Sequence, residues 1–262
     1  MRNLKKYLGL IVFLLLFLFL WQIGEDFFSS KMVSQGKTSI EVFIPTPKTI
    51  FKTIIFDANI IFPELFVTLY RAFIGFLLGS VLAVLFVFLM YFSPLLRSIM
   101  MPIAFAINSF PIIGFSPLII MVFGQGSSLS IIFVSALIAY FPALVSLEIA
   151  SREIRSQSVM ELMKILNATR FQVLQKIIIP NSVPYFFISA KLSLPASIMG
   201  AVIGEWLGAN SGVGRLMIAS FYQLKPGLLY GSLLLVVIIS CSLIFILSLL
   251  EKKYFFFWNN KD

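Results

Sequence analysis

Long apolar segments, separated by shorter polar ones, dominate the chain. A membrane-spanning helix needs about 20 mostly apolar residues, and six segments meet that requirement. They cover residues 8–28, 65–92, 99–123, 129–147, 185–207 and 228–250. The pattern therefore predicts an all-α, polytopic membrane protein with six transmembrane helices, whose main solvent is the lipid bilayer.

The first apolar segment has the features of an anchor rather than of a removable leader. Lys5 and Lys6 precede it, so a secretory signal peptide must be considered. Its apolar core, residues 8–23, is long for a signal peptide, and no small-x-small cleavage site follows. We therefore expect an uncleaved anchor helix and an outer loop in residues 1–64, followed by a core domain in residues 65–262.

Composition excludes several classes of function. Of the 262 residues, 60% are hydrophobic and 12% are charged, about half the charge of a soluble domain. A soluble enzyme or a disordered scaffold is excluded, because a water-soluble fold cannot hide so much apolar surface. The single cysteine, Cys241, excludes an intrachain disulfide, and the absence of histidine removes histidine-based catalysis and metal ligation. We expect no cofactor and no metal.

The net charge of +9 predicts the orientation of the chain. In a soluble protein it would suggest nucleic acid, but membrane proteins concentrate lysine and arginine on the cytoplasmic side. If both termini are cytoplasmic, 12 of the 20 lysines and arginines lie in inner segments and 6 in outer ones. The other two, Arg71 and Lys191, fall within spans, where both could snorkel to a headgroup. We expect cytoplasmic termini and no nucleic-acid partner.

The longest inner segment, residues 148–184, has a helical pattern although it lies outside the membrane. Val159, Leu162, Met163 and Leu166 recur near the helical period, with charges between them. A helix that keeps an apolar face outside the bilayer needs a cover for that face. Either the inner ends of the protein's own spans or a partner protein could cover it, and the sequence leaves both possibilities open.

A motif within this inner segment carries a family resemblance. Glu161 begins the stretch Glu-Leu-Met-Lys-Ile-Leu-Asn, and an Ile-Ile-Ile-Pro stretch runs from Ile177 to Pro180. This arrangement resembles the EAA loop of binding-protein-dependent ABC importers. Glu161, Ile177 and Pro180 match that pattern in the correct register.

The motif departs from the family pattern at three positions. Leu162 and Met163 replace two alanines, and Asn167 replaces a glycine. Asparagine is the residue other than glycine that best tolerates positive φ. We therefore predict that a helix–turn–helix break persists at Asn167, beside a bulkier apolar face.

Further motifs between residues 65 and 225 resemble the nitrate/sulfonate/taurine-type permeases in their order and spacing. The Gly204-Glu-Trp form resembles permeases for vitamins and their precursors, such as the thiamine pyrimidine precursor or riboflavin. The motifs are Thr68-Leu-Tyr-Arg71, Gly75-Phe76, Gly79, Phe110-Pro111, Pro117-Leu-Ile, Phe141-Pro142, Gly204-Glu-Trp-Leu-Gly-Ala209 and Ser211-Gly-Val-Gly214.

The resemblance implies the transmembrane domain of a type I ABC importer, with residues 65–262 as its permease core and a coupling loop at about 148–184. Such a permease moves a small solute, an anion or a vitamin precursor, inward across the cytoplasmic membrane. The implied partners are a second permease copy (a homodimer), two ATP-binding subunits and an extracytoplasmic binding protein. Contacts to the ATP-binding subunits are expected from Glu161, Leu162, Met163, Leu166, Asn167, Arg170 and Pro180.

The third apolar segment has the composition of a pore wall. Pro102, Pro111 and Pro117 each remove a backbone donor, and irregular backbone at membrane depth is tolerated where it lines a cavity. A kinked packing helix is the alternative. The residues predicted to line the path are Asn108, Ser109, Pro111, Ser116 and Glu205. For Glu205 a pairing with a cation and a wet outer helix end also stay open.

The sequence lacks a phosphate-binding loop, since Gly36-Lys37-Thr38 has no glycine five residues earlier. We therefore predict that the chain is not an enzyme and that ATP hydrolysis occurs on a separate subunit. One alternative is an ion-gradient-driven secondary transporter, which would use titratable groups in mid-membrane. Glu205 is the candidate for that role. An intramembrane enzyme is a second alternative, and it would need paired catalytic groups within the spans.

Overall fold

The computed structural model describes residues 19–24, 45–155 and 159–259, and the regular structure in these ranges is helical throughout. Residues 19–24 belong to the first predicted span, most of which lies outside the described residues. In chain order the helices are α1 (Pro47–Phe56), α2 (Ala58–Phe92), α3 (Pro94–Ser109), α4 (Ile112–Phe123), α5 (Ser128–Arg155), α6 (Val159–Ile165), α7 (Arg170–Val173), a π-helical turn (Leu174–Ile178), α8 (Ile179–Trp206), α9 (Val213–Tyr222) and α10 (Pro226–Asn259).

Among the described helices, four are long and apolar enough to cross a membrane. They are Ala58–Phe92, Ser128–Ile154, Arg170–Trp206 and Pro226–Tyr254. These four helices confirm the predicted spans at residues 65–92, 129–147, 185–207 and 228–250. They are longer than predicted, because residues on one or both sides of each apolar segment, charged and polar ones among them, continue the same helix.

The segment predicted as a third span, residues 99–123, is two helices rather than one. Helix α3 ends at Ser109, and Phe110 is extended with φ −71° and ψ 134°. The residue before a proline disfavours the helical region, and Pro111 has no N–H to donate. Pro102 and Pro117 lie inside α3 and α4 without breaking them. The Phe110-Pro111 pair therefore determines where this segment is interrupted.

Part of the stretch predicted as an outer loop is helical. Thr46 caps α1, because its Oγ1 accepts a hydrogen bond from the Thr49 N–H at 3.1 Å, and Pro47 occupies the first turn. Asp57, with φ −99° and ψ 18°, separates α1 from α2. Helix α2 then begins at Ala58, before the predicted residue 65, and it continues through Pro63.

Helices α2, α5 and α8 form the centre of the molecule and pack against one another at small residues. A Cβ added to Gly200 of α8 would lie 2.8 Å from the Cα of Ser135 in α5, so these backbones are in direct contact. Ser135 Oγ also donates a hydrogen bond to the Ser197 carbonyl at 2.8 Å. Gly79 of α2 approaches α5 equally closely, with its added Cβ 2.6 Å from the Ala136 carbonyl oxygen. Close approach at small residues is the usual way that membrane helices associate.

Residues 159–173, in the segment predicted to be cytoplasmic, form a short helical turn that we call the elbow; residues 156–158 lie outside the described ranges. The predicted break is confirmed, because Asn167 has φ 51°. Thr169 and Gln172 then form a capping box that starts α7. The π-helical turn joins α7 to α8. Helices α5 and α8 therefore extend beyond the predicted spans, and the elbow joins their ends.

Candidate functional site

The elbow has one covered apolar face and one exposed apolar face. Val173 is buried in a cluster with Ile154, Leu174, Ile177 and Ile178, against which Met160 and Met163 pack. This face is therefore covered by the protein's own long helices, the first of the two possibilities that the sequence left open. The other face is open: Leu162, Ile165 and Leu166 are exposed, Ile165 by 76%.

Polar residues of the elbow have distinct positions. Glu161, Lys164 and Asn167 are exposed, and Pro180 is half-buried in the first turn of α8. Arg170 holds the elbow against the end of α2: its Nη1 donates to the Phe92 carbonyl at 3.1 Å. The Tyr91 hydroxyl donates to the Arg170 carbonyl at 3.0 Å. These two hydrogen bonds connect the elbow directly to the C-terminal end of α2.

A buried carboxylate lies near the elbow on α5. Glu148 Oε1 lies 2.6 Å from Arg97 Nη2 at the start of α3 and 3.4 Å from Arg152 Nη2 on its own helix. The Arg97–Glu148 pair ties α3 to α5. Arg97 and Arg152 were used in the sequence only to predict orientation, and the pairing of Arg97 with Glu148 across 51 positions was not predicted.

The interruption between α3 and α4 brings together some of the predicted path residues. Asn108, Ser109 and Pro111 lie at the interruption and are exposed. Ser109 Oγ donates to the Phe105 carbonyl at 2.8 Å, so its hydroxyl is used within α3. Ser116 lies in α4, where the structure describes its backbone but not its side chain.

A cavity of about 380 Å³ lies between this interruption and α5. Asn108 lines it, whereas Ser109 and Pro111 are not among its lining residues. Aromatic rings form much of its wall, including Phe110 and Phe115 from the interruption and Phe133 and Tyr140 from α5. The structure therefore places one predicted path residue in an aromatic cavity that sequence analysis did not predict.

Glu205 lies in the last turn of α8, at the end of the helical core opposite to the elbow, and is 1% exposed. Its carboxylate accepts hydrogen bonds from Thr68 Oγ1 at 2.8 Å, from Arg71 Nη1 at 2.9 Å and from the Gly214 N–H at 2.9 Å. Thr68 in turn accepts from the Val213 N–H at 2.8 Å. Of the three predictions for Glu205, the pairing with a cation is confirmed.

Arg71 does not take the open possibility of snorkelling to a headgroup. It is 3% exposed, and its guanidinium is hydrogen-bonded inside the protein. Besides Glu205, it donates to the Ser211 carbonyl at 2.7 Å and to Ser211 Oγ at 3.1 Å. Its Nη2 also lies 3.2 Å from Ser128 Oγ. Arg71 thus joins α2, α5, α8 and the loop before α9. Lys191, the other cation within a span, pairs with Glu251 at 2.6 Å.

The glycines of the Ser211-Gly-Val-Gly214 motif make room for this cluster. Gly212 has φ 114°, and a Cβ there would overlap the Glu205 carboxyl group. A Cβ at Gly214 would lie 2.9 Å from the Glu205 Cβ. The Gly212 N–H donates to the carboxylate of Glu64, which also lies 3.6 Å from Arg215. The motif therefore lets the loop wrap closely around Glu205.

Thr68, Ser128 and Ser211 were not predicted as partners of the buried Arg71 and Glu205. One signal was available: Thr68 and Arg71 share a helix face, and a charge in an apolar segment needs a partner of opposite sign. In the described ranges, no cluster of three acidic or cysteine side chains could hold a metal ion.

Comparison with known proteins gives one family. The profile of the family described as binding-protein-dependent transport system inner membrane component matches residues 75–254, more than half of the chain. The formylaminopyrimidine transport permease protein ThiX of Halalkalibacterium halodurans is 29% identical over 204 residues, 78% of this chain and 77% of that protein. An aliphatic sulfonates transport permease protein, SsuC of Bacillus subtilis, is 31% identical over 177 residues, 66% of this chain and 63% of that protein.

A solved structure has the same fold. It is the MetNI methionine ABC transporter in inward-facing conformations, with a TM-score of 0.62 and 19% sequence identity. The match covers 74% of this chain and 94% of the other. The fold is therefore that of a type I ABC importer transmembrane domain, although the described residues do not establish the predicted number of six spans.

Proposed function

Because the chain belongs to the family of binding-protein-dependent transport system inner membrane components, we propose that this ABC importer permease moves a small solute inward across the cytoplasmic membrane. Two copies form one translocation path, and two ATP-binding subunits dock from the cytoplasm. A binding protein delivers the solute from outside. The residues of this chain conduct the solute, and ATP hydrolysis takes place on the separate subunits.

The exposed apolar face of the elbow is the observation that carries this proposal. Leu162, Ile165 and Leu166 lie outside the long apolar helices, yet they are exposed. Apolar side chains that remain open to water on a monomer mark a site for a partner protein. Glu161 and Lys164 flank this face with charge, which favours a protein groove over a lipid surface.

Motion of the ATP-binding subunits would reach the spans through the covered face of the elbow. Arg170 and Tyr91 join the elbow to α2, and the Ile154 cluster joins it to α5 and α8. The same two contacts would move all three central helices together. This arrangement supports coupling of ATP-driven closure to a change between inward-facing and outward-facing states.

The translocation path is proposed to pass the interruption between α3 and α4, beside Asn108, Ser109, Pro111 and Ser116. A path role for Glu205 stays a prediction. Its burial and its hydrogen bonds support a different role, in which it fixes the loop before α9. We also propose that both termini of the chain lie in the cytoplasm, because lysine and arginine are more frequent in the segments that this orientation places inside.

The alternative of an ion-gradient-driven transporter gains no support. Such a transporter needs a titratable group that can exchange ions at membrane depth. Among the described residues, the buried carboxylates are Glu148 and Glu205, and each is paired with an arginine. Neither carboxylate is free to carry an ion across the membrane.

Co-purification of the chain with its ATP-binding subunit tests the docking proposal. We expect the double variant Glu161→Lys/Leu162→Asp to lose the subunit, because it reverses one charge and adds another to the apolar face. Leu224→Asp is the matched control, since Leu224 is also exposed but lies between α9 and α10, on the proposed outer side. Unchanged association of the double variant would contradict docking at the elbow.

A further inference from the structure

Helix α1 exposes apolar side chains and lysines together within its 10 residues. Phe51, Ile55 and Phe56 are exposed, Phe56 by 80%. Lys48 and Lys52 are exposed as well, and within the described ranges neither lysine belongs to an ion pair. This surface of α1 therefore needs a partner that accepts apolar and cationic groups side by side.

Most of these exposed side chains share one face of α1. Residues three or four positions apart are neighbours on a helix, and four of the exposed residues follow that spacing. They are Lys48, Phe51, Lys52 and Ile55. The opposite side holds Ile50, which is buried, and Thr53, whose Oγ1 would lie 2.5 Å from a Cβ added to Gly227 of α10. Helix α1 thus turns one side to the protein and the other side away from it.

Helix α1 is too short to cross a bilayer and is separate from the span that follows it. Ten residues extend about 15 Å at 1.5 Å per residue, half of the roughly 30 Å of a hydrocarbon core. Asp57 ends α1, and α2 begins at Ala58. The other end of α2, at Phe92, contacts Arg170 of the elbow. Helix α1 therefore lies at the end of a membrane-spanning helix that is opposite to the elbow.

The exposed apolar surface of α1 continues onto α2. Ile60, Phe62 and Phe66 are exposed on the first turns of α2, which is long and apolar enough to cross a membrane. The lipid that covers these side chains is therefore next to α1 as well. A water-exposed position would leave the apolar side chains of α1 without cover, and this continuity indicates the bilayer as that cover.

The charge of α1 complements the phosphates of a bilayer surface. The helix carries two lysines and no acidic residue. A lysine can lay its apolar stem along a hydrophobic surface and keep its ammonium group in the polar layer. Short helices that combine lysines with phenylalanine and aliphatic residues lie in the plane of the membrane surface, where anionic lipids strengthen their binding.

We infer that α1 is an interfacial helix that binds phospholipid headgroups at the membrane surface opposite to the elbow, and that it favours anionic phospholipid. Phe51, Ile55 and Phe56 enter the boundary between headgroups and acyl chains, while Lys48 and Lys52 bind phosphate. Because α1 adjoins α2 and packs against the start of α10, this contact holds those ends of α2 and α10 at the membrane surface. The inference goes beyond solute transport and requires only that the chain lies in a bilayer.

Photo-cross-linking from α1 identifies its partner. Ile55→Cys is made in a Cys241→Ser background and labelled with benzophenone maleimide. The full complex, with the binding protein added, is irradiated in vesicles that contain equal amounts of phosphatidylglycerol and phosphatidylcholine. We expect lipid adducts in which phosphatidylglycerol exceeds phosphatidylcholine by at least about fivefold, the factor that one lysine contributes near an anionic surface.

Substitution of both lysines tests the contribution of charge. The double variant Lys48→Arg/Lys52→Arg should keep the excess of phosphatidylglycerol, whereas Lys48→Gln/Lys52→Gln should lower the adducts to the ratio of the vesicle. Val81→Cys is the matched control position, because Val81 is exposed in the middle of α2 and should give lipid adducts in the ratio of the vesicle. Association of each variant with the ATP-binding subunit shows that it is folded.

Three outcomes would overturn the inference. A cross-link from position 55 to the second permease copy or to the binding protein would show that protein covers α1. Absence of any adduct would place α1 in water, and lipid adducts in the ratio of the vesicle would contradict the preference for anionic phospholipid. Each outcome can occur in a complex that keeps its ATP-binding subunits and transports solute, so it is distinguishable from failure of the proposed function.

Discussion

Arg71 and Glu205 form a buried ion pair between α2 and α8, with 2.9 Å between Nη1 and Oε1. The two residues are 134 positions apart in sequence. Because the pair also binds Ser211 and Gly214, it fixes the loop that connects the end of α8 to α9. The pair therefore stabilises one end of the helical core, at the end opposite to the elbow.

The two single substitutions at this pair should together destabilise the protein more than the double substitution does. Removal of one partner leaves an uncompensated buried charge, which costs about 3–5 kcal/mol. We expect Arg71→Met and Glu205→Gln each to lower the free energy of unfolding by about that amount, whereas the double variant loses less than the sum. The measurement is a double-mutant cycle by denaturant titration in detergent. Additive losses would show that the pair does not couple.

The backbone at Gly212 should not accept a side chain. Its φ of 114° disfavours any other residue, and a Cβ would overlap the Glu205 carboxyl group. We expect Gly212→Ala to lower the melting temperature, at a cost of at least about 1–3 kcal/mol for the strained backbone. Gly114→Ala is the control, because the nearest atom to a Cβ there is Pro111 Cγ at 3.9 Å. Equal melting temperatures of the two variants would contradict the described geometry.

Two arginines that contact Glu148 should differ in their contribution. Arg97 Nη2 lies 2.6 Å from the carboxylate, while Arg152 Nη2 lies 3.4 Å away on a side chain that is 63% exposed. We expect Arg97→Ala to destabilise the protein by about 3 kcal/mol. Arg152→Ala should cost less than about 1 kcal/mol, because exposed ion pairs contribute little. A larger loss in Arg152→Ala, measured by thermal unfolding in detergent, would reverse this assignment.

The break at Asn167 should tolerate glycine but not a β-branched residue. At φ 51°, glycine fits without strain, whereas valine in the left-handed region costs about 1–2 kcal/mol. We expect Asn167→Gly to retain the ATP-binding subunit on co-purification and Asn167→Val to lose part of it. Loss of the subunit in Asn167→Gly would show that the asparagine side chain itself is required.

The sequence was sufficient to predict features that depend on local pattern. The spans at residues 65–92, 129–147, 185–207 and 228–250 follow from apolar length, and the break at Asn167 follows from residue type at one motif position. The prolines indicated that residues 99–123 would be irregular. They did not distinguish Pro111, which separates two helices, from Pro102 and Pro117, which do not.

Features that depend on distant pairs could not be predicted. Glu205 was left between three environments because its partners Thr68 and Arg71 are more than 130 positions away. The aromatic cavity was missed for the same reason, since the rings of Phe115 and Tyr140 come from different helices. Helix α1 was not predicted either, because its lysines and threonines make its hydropathy similar to that of a loop.

Cross-linking from the elbow tests the central claim of this account most directly. Leu166→Cys, made in a Cys241→Ser background, is labelled with benzophenone maleimide and irradiated in the full complex. Tyr222→Cys, at an exposed position at the end of α9, is the control. We predict that position 166 cross-links to the ATP-binding subunit and that position 222 does not. A cross-link to that subunit from position 222, or none from position 166 in an intact complex, would contradict the account.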